Sequence, residues 1–245
     1  MTAYQPRRYR RLPGATDLVA CEVAVGESDL MVLAARDLRA EARTAARSAR
    51  RQIESHLARH PEMLEARGPL PTPPDARAIV AAMYHAGRVA GTGPMAAVAG
   101  AVAEAVARAL VEHSPEVVVE NGGDLFMITT RERTVGIDAG GPPWGRSLAL
   151  VLPPGARAVC TSSGTRGHSA SGGRADAAVV VAPSGAVADA LATAVGNRVS
   201  GPDDVAAAVE WARAHQGVEH VLVICGETMG AWGALALRRV GERAD

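Results

Sequence analysis

Positions 160–169, reading C-T-S-S-G-T-R-G-H-S, hold one thiol, five hydroxyls, one imidazole, one guanidinium and two glycines. The segments on either side, 148–159 and 175–182, are apolar and read as strands. Polar groups this dense between buried strands usually face a ligand. Cys160 and His168 supply a nucleophile and a base, while Thr161, Ser162, Ser163 and Thr165 supply hydroxyls. Gly164 and Gly167 let the backbone turn its N–H groups toward a closely approaching anion. A second polar turn, Glu120-Asn121-Gly122-Gly123-Asp124, lies between the apolar runs 117–119 and 125–128. If both turns emerge on one side of a sheet, they make one site. Each also has a plainer account: Asn-Gly is a strong hairpin signal, and a Cys near a strand end is often a small buried hydrophobe.

Asp189 and Thr193 are four apart on a helix expected over 186–198, so their oxygens share one face. A carboxylate and a hydroxyl suit a hard cation such as Mg²⁺. The same residues also occur where Asp offsets a helix dipole and Thr bonds the carbonyl one turn back. Gly91-Thr92-Gly93-Pro94 opens a helix, whose free N–H groups suit phosphate or carboxylate, with Thr92 and Gly93 as the contacts. No Gly-Lys-Ser/Thr follows, so this is not a Walker loop, and a break between two helices explains the same residues.

The elements that must position these groups follow from periodicity. Strands are expected at 18–25 and 30–34, then a long amphipathic helix over 36–60. Arg36, Arg39, Arg43, Arg47 and Arg50 stripe one face of that helix, either as a solvated surface or as a face for a protein partner or a second copy. Pro61 ends it, and Pro69, Pro71, Pro73 and Pro74 mark an extended connector. Asp75 is placed to cap a helix through about residue 90, and a second helix runs from 95 to about 113. Its Ala, Val and Gly100 allow close backbone packing. Strands follow at 116–120, 125–130, 134–138, 148–152, 157–161 and 175–182, then helices at 186–198 and 202–215 and strands at 218–225 and 235–240. Short turns between strands predict a largely antiparallel sheet packed with helices, an α+β fold, and 1–245 reads as one domain.

Composition sets limits. Lys plus Arg equal Asp plus Glu at 26 each, so there is no global basic charge for nucleic acid, and aromatics at 3% offer no stacking ladder. Three cysteines, Cys21, Cys160 and Cys225, argue for a reducing compartment rather than a disulfide framework. The arginines before Cys21 are separated from it by Pro13, Gly14, Thr16 and Asp17, which breaks the apolar core that an export signal needs. No apolar run is long enough to span a bilayer, so the expectation is a cytoplasmic protein without a membrane partner.

Several motifs together carry a resemblance. Thr92-Gly-Pro-Met-Ala-Ala-Val-Ala-Gly-Ala101, Glu120-Asn-Gly-Gly-Asp124, Cys160-Thr-Ser-Ser-Gly-Thr165, Gly167-His-Ser169, Ala175-Asp176 and Ala188-Asp-Ala-Leu-Ala-Thr-Ala-Val-Gly-Asn197 resemble those of an uncharacterised bacterial and archaeal family related to ApbE. ApbE proteins are Mg²⁺-dependent FAD:protein FMN transferases. The resemblance implies an ApbE-like, T-fold-related architecture with a small-molecule pocket between sheet loops and helices. It implies Mg²⁺ at Asp189 and Thr193, and FAD, FMN or another phosphorylated ligand beside Asn121, Gly122, Gly123, Asp124, Thr161 and Ser162. The family association with sulfur assimilation toward homocysteine implies an alternative in which Cys160 carries or positions sulfur.

One departure from the ApbE pattern has a chemical consequence. ApbE enzymes continue through a longer insert to H-I-x-D-P-x-T-G, whereas this chain passes from Gly167-His168-Ser169 directly to Gly172-Gly173-Arg174-Ala175-Asp176. Without that segment, the recognised acid/base and pyrophosphate-handling groups of flavin transfer are missing. FMN transfer from FAD to the threonine of an ordinary ApbE acceptor peptide is therefore expected to be absent or very slow. Robust transfer by the purified protein would show that other residues have taken over.

Overall fold

The computed structural model describes residues 17–141, 143–145, 147–164 and 172–239. Two strands, β1 (Val19–Val25) and β2 (Ser28–Ala34), form a hairpin and lead into α1 (Arg39–Leu57), α2 (Glu62–Glu65), α3 (Ala78–Ala90) and α4 (Val98–Leu110). Then come β3 (Val117–Asn121), β4 (Asp124–Thr129), β5 (Arg133–Ile137), β6 (Leu148–Leu152), β7 (Gly155–Ser162) and β8 (Ala177–Ala182). The chain continues through α5 (Gly185–Asn197), α6 (Val205–Arg213), β9 (His220–Cys225), β10 (Thr228–Gly233) and β11 (Ala236–Arg239).

Eight strands make one sheet in the order β1-β2-β3-β4-β7-β8-β9-β10, and every pair in it is antiparallel. A second sheet, β11-β6-β5, is also antiparallel. Alternation explains how one strand serves two faces. Val117, Val119, Phe126, Cys160 and Val180 pack with the helices, whereas Val118, Leu125, Met127, Val159 and Val179 pack with Val135, Leu148 and Leu150 of the smaller sheet. The central strands therefore read as unbroken apolar runs, because both sides are covered. Arg133 of β5 reaches across to Glu116, just before β3, at 2.8 Å and to Asp17 at 2.7 Å. That buried guanidinium ties the small sheet to the large one with both sides of its fork engaged.

Several elements depart from the sequence reading. The helix expected from 36 begins at Arg39, with Leu38 buried at its N-cap. Asp75 caps no helix, because α3 starts after Arg77 and the Asp75 carboxylate meets Arg59 and His60 instead. The connector is preceded by one short helical turn, α2, starting on Pro61. The stretch expected as one helix from 95 begins with a 3₁₀ turn at Pro94–Ala97 before α4. Strand β10 went unrecognised because T-M-G-A-W-G has little β propensity. Gly230 is required there by packing: a Cβ would lie 2.8 Å from Val205 Cγ1 of α6.

Helices α4 and α5 cross at a point where no side chain fits. A Cβ on Gly100 would lie 2.2 Å from the Gly185 carbonyl oxygen, and one on Gly185 would lie 2.3 Å from that of Gly100. Backbone meets backbone, and a methyl group must push the helices apart. Ala in a helix is intrinsically favoured over Gly by about 1 kcal/mol, but overpacking costs about 1–3 kcal/mol and a rigid backbone cannot relax around it. Gly100→Ala is therefore expected to be net destabilising by about 1–3 kcal/mol in urea unfolding. Gly136→Ala on β5, where a Cβ meets nothing within 4 Å, is the control and should change stability little.

Candidate functional site

At one end of the large sheet, three strand ends and two helix starts converge. The β3–β4 hairpin closes through Gly122 and Gly123, with φ of 70° and 106°. Two successive positive φ angles suit the tight primed turn that matches strand twist. The two glycines separate Asn121 from Asp124, which pair across the hairpin. Asn121 lies on the helix side, where its Nδ2 donates to the Ala99 carbonyl at 3.1 Å. Glu120 accepts the Gly123 N–H at 2.7 Å and so stiffens the turn.

Asp124 accepts the Thr161 N–H at 3.1 Å, which joins the hairpin to the end of β7. Cys160 precedes it, fully buried, with its Sγ directed at the Gly185 carbonyl at 3.7 Å. Ser162 is two residues on and faces the same side as Cys160, with a buried Oγ that has no hydrogen-bond partner. Asp189 comes from α5, and its Oδ2 accepts the Gly100 N–H in the first turn of α4 at 2.8 Å. The close crossing of α4 and α5 brings that carboxylate onto the α4 N-terminus. Glu104 of α4 returns the same bond, its Oε2 accepting the Gly185 N–H at 2.7 Å.

Asp124 and Asp189 are each 8% exposed and have no cationic partner among the described residues. Burial pushes Asp124 up to about 7, with Glu120 adding to the rise and the Thr161 N–H opposing it. Burial also raises Asp189 well above the carboxylate range, and the nearby Asp124 charge raises it further. Two buried carboxyl groups that cannot both ionise cheaply form an acidic pair awaiting a proton or a cation. Cys160 is pushed up first by burial and then by Asp124 and Asp189. Burial and the two neighbouring carboxyl groups thus favour the thiol over the thiolate at Cys160.

The other expected residues fall as follows. Thr193 lies one turn beyond Asp189 on α5 and is partly exposed. Gly164 donates to the Ala175 carbonyl at 2.9 Å, and its Cβ would collide with the Gly173 carbonyl, so it closes the base of its loop. Ser163 is half-buried beside it. Thr165 and His168 lie outside the described residues. Thr92 and Gly93 donate their backbone N–H groups to the Gly87 and Arg67 carbonyls, and the buried Thr92 hydroxyl has no hydrogen-bond partner among the described residues. Gly93 is required by packing, since its Cβ would overlap the Ala66 carbonyl oxygen at 1.7 Å. The sequence reading missed Glu104 and Gly185; a Gly directly after Ser184 at a helix start was the available signal, because it marks both a cap and a close approach.

Residues 10–228 match the family model described as AbpE bacteria. The chain belongs to this family. It is 38% identical over 193 residues to a UPF0280 protein of Methanococcus aeolicus, covering 76% of this chain and 78% of that one. It is 36% identical over 223 residues to a UPF0280 protein of Methanopyrus kandleri, covering 88% and 91%. Among solved structures, the Pseudomonas stutzeri flavinyl transferase ApbE superposes with a TM-score of 0.54 at 17% identity, covering 88% of this chain and 93% of that one. The flavin transferase ApbE of Vibrio cholerae gives 0.54 at 12% identity, covering 89% and 97%. The ApbE-like α+β fold expected from the motifs is therefore the fold of this family member. Among the described residues, no single helix is long and apolar enough to cross a membrane.

The raised Asp124 sets a pH dependence. Between its ordinary value of 3.8 and about 7, the folded protein holds a proton that the unfolded chain has released. The group's contribution to stability is therefore full below about pH 4 and is lost as pH rises through about 7, on the order of 2–4 kcal/mol. In metal-free buffer the stability of Asp124→Asn relative to the parent should accordingly improve from pH 4 to pH 8. Parallel unfolding curves for the two proteins across that range would show that Asp124 is not held neutral by the fold.

Proposed function

We propose that this protein binds a flavin-like or other phosphorylated small molecule together with Mg²⁺ at the sheet end bounded by Asn121, Asp124, Ser162 and Asp189. The reaction class favoured by family kinship is a Mg²⁺-dependent group transfer. The observation that carries the reading is the burial of Asp124 and Asp189 at one sheet end, each held by a backbone N–H, as carboxyl groups that a divalent cation would take as a ligand set.

The donor set fits the cation. Asp124, Asp189 and the Thr193 hydroxyl are all hard oxygen donors, and Mg²⁺ favours a few such oxygens completed by water and phosphate. When bound, the cation would neutralise charge on a phosphate chain. The protein's own residues do the remaining positioning. Asp189 keeps one oxygen on the Gly100 N–H, which fixes the carboxylate, and Asn121 is held by the Ala99 carbonyl on the same helix turn. The unpartnered Ser162 Oγ is a ready donor to a ligand oxygen or nitrogen. Resemblance to the flavin transferases of Pseudomonas stutzeri and Vibrio cholerae supports a flavin as the first ligand to try.

Isothermal titration of the purified protein with FAD, FMN and ADP, each with and without Mg²⁺, tests the reading. Mg²⁺-linked binding is expected, and Asp189→Asn should weaken it by at least about tenfold, because Asn keeps the size and can still accept from Gly100 but loses the charge. If no titration depends on Mg²⁺, or if binding survives Asp189→Asn unchanged, Asp189 serves only to cap α4.

A further inference from the structure

A second cluster of ligating side chains lies away from the sheet end, where α1 finishes and the proline-rich connector returns. His56 and His60 are one turn apart, since the His60 N–H continues the helical pattern by bonding to the His56 carbonyl at 2.9 Å. Both imidazoles therefore lie on one face. Asp75, at the far end of the connector, meets the same point: its Oδ1 lies 3.3 Å from His60 Nε2. One ligand atom from each of His56, His60 and Asp75 lies within 4.8 Å of the others.

We propose that His56, His60 and Asp75 form a binding site for a divalent transition cation of the Zn²⁺ type, which clamps the connector to the end of α1. The chemistry of the three favours such an ion over Mg²⁺, because the two imidazoles are borderline nitrogen donors that suit Zn²⁺, and the carboxylate is a ligand Zn²⁺ also takes. A His-x₃-His pair on one turn followed by a carboxylate leaves the fourth position to water, and Glu62, whose Oε1 lies 3.3 Å from His60 Nδ1, is placed as the outer partner of that imidazole.

An independent observation points the same way. His56 is 1% exposed, and its Nδ1 is buried with no hydrogen-bond partner. Its Nε2 faces the hydroxyl of the buried Tyr84 at 3.2 Å. With the proton on Nε2 donating to Tyr84, Nδ1 is left with a lone pair and no acceptor role to fill. That is the arrangement in which an outer partner sets the tautomer of a ligating histidine. A buried polar atom left unmatched is otherwise costly.

The groups facing the site also include a competitor. Arg59 pairs with the same Asp75 carboxylate through its other oxygen. Tetrahedral ligands at about 2.1 Å from a metal stand roughly 3.4 Å apart, so closing on a cation draws the three groups together. The His60 ring now stacks on His56 with centroids 4.4 Å apart, and it must turn to present its nitrogen. His60 and Asp75 have room to do so, with side chains 26% and 40% exposed.

The test uses the full chain freed of any affinity tag. After dialysis against Zn²⁺ and then against metal-free buffer, one equivalent should remain by elemental mass spectrometry, and Co²⁺ should give the strong visible bands of a tetrahedral site. His60→Ala and Asp75→Asn, both at partly exposed positions, should each weaken Zn²⁺ binding by at least about tenfold. His85→Ala, an exposed histidine on α3, should leave it intact. Zn²⁺ should also slow proteolytic cleavage between residues 66 and 77 in the parent but not in His60→Ala. No retained Zn²⁺ in the parent, unchanged binding in His60→Ala, or equal loss in His85→Ala would each overturn the site.

Discussion

The contact on which the molecule depends is the crossing of α4 and α5 at Gly100 and Gly185. Its closeness lets each helix place a carboxylate on the other's start: Asp189 on the Gly100 N–H and Glu104 on the Gly185 N–H. Each bond meets a backbone donor that no turn of its own helix can satisfy, and each places a carboxyl oxygen at the positive end of a helix dipole. Removing either glycine would lengthen both bonds together, because one helix spacing sets both. The exchange also decides where the acidic pair sits. Asp189 is held against α4, α4 holds Asn121 through Ala99, and the hairpin of Asn121 holds Asp124 two glycines away.

That chain of contacts explains how a buried carboxyl pair is accommodated with no cationic partner among the described residues. Removing an isolated carboxylate from water is expensive enough that the group normally takes up a proton instead. Backbone N–H groups of Gly100 and Thr161 offset part of the burial, and the proton taken up by the pair offsets more. The arrangement contrasts with the other buried charged cluster, Glu116, Arg133 and Asp17, in which opposite charges compensate one another and hold two sheets together. One cluster is complete by itself. The other is met by backbone N–H groups, with no opposite charge among the described residues.

Much of this was legible in the sequence, and the reasons differ by residue. The polar turn at 120–124 stood out because two glycines interrupted apolar strands, and the hairpin they predict is present. Ser162 and Asp124 were expected to converge, and the Thr161 N–H joins them through Asp124. Gly100 was readable as a site of close approach, but its partner Gly185 is remote in sequence, and no local pattern names such a partner. Gly93, read as part of an anion loop, packs closely against Ala66, since the same residue type answers both needs. Strand β10 was hidden by its glycines; its pairing with β9 and its packing on α6 outweigh a weak local preference.

The separation of the two helices along the chain also determines when the site can exist. The bond from Asp189 to Gly100 spans 89 residues, and that from Glu104 to Gly185 spans 81. Until α5 has left the ribosome, the start of α4 lacks the Asp189 carboxyl that accepts the Gly100 N–H. Such distant contacts are slow to close, since the loop entropy must be overcome before they contribute. The acidic pair is therefore assembled only after α5 has been made, and a nascent chain stopped before α5 carries α4 and the Asp124 hairpin without Asp189.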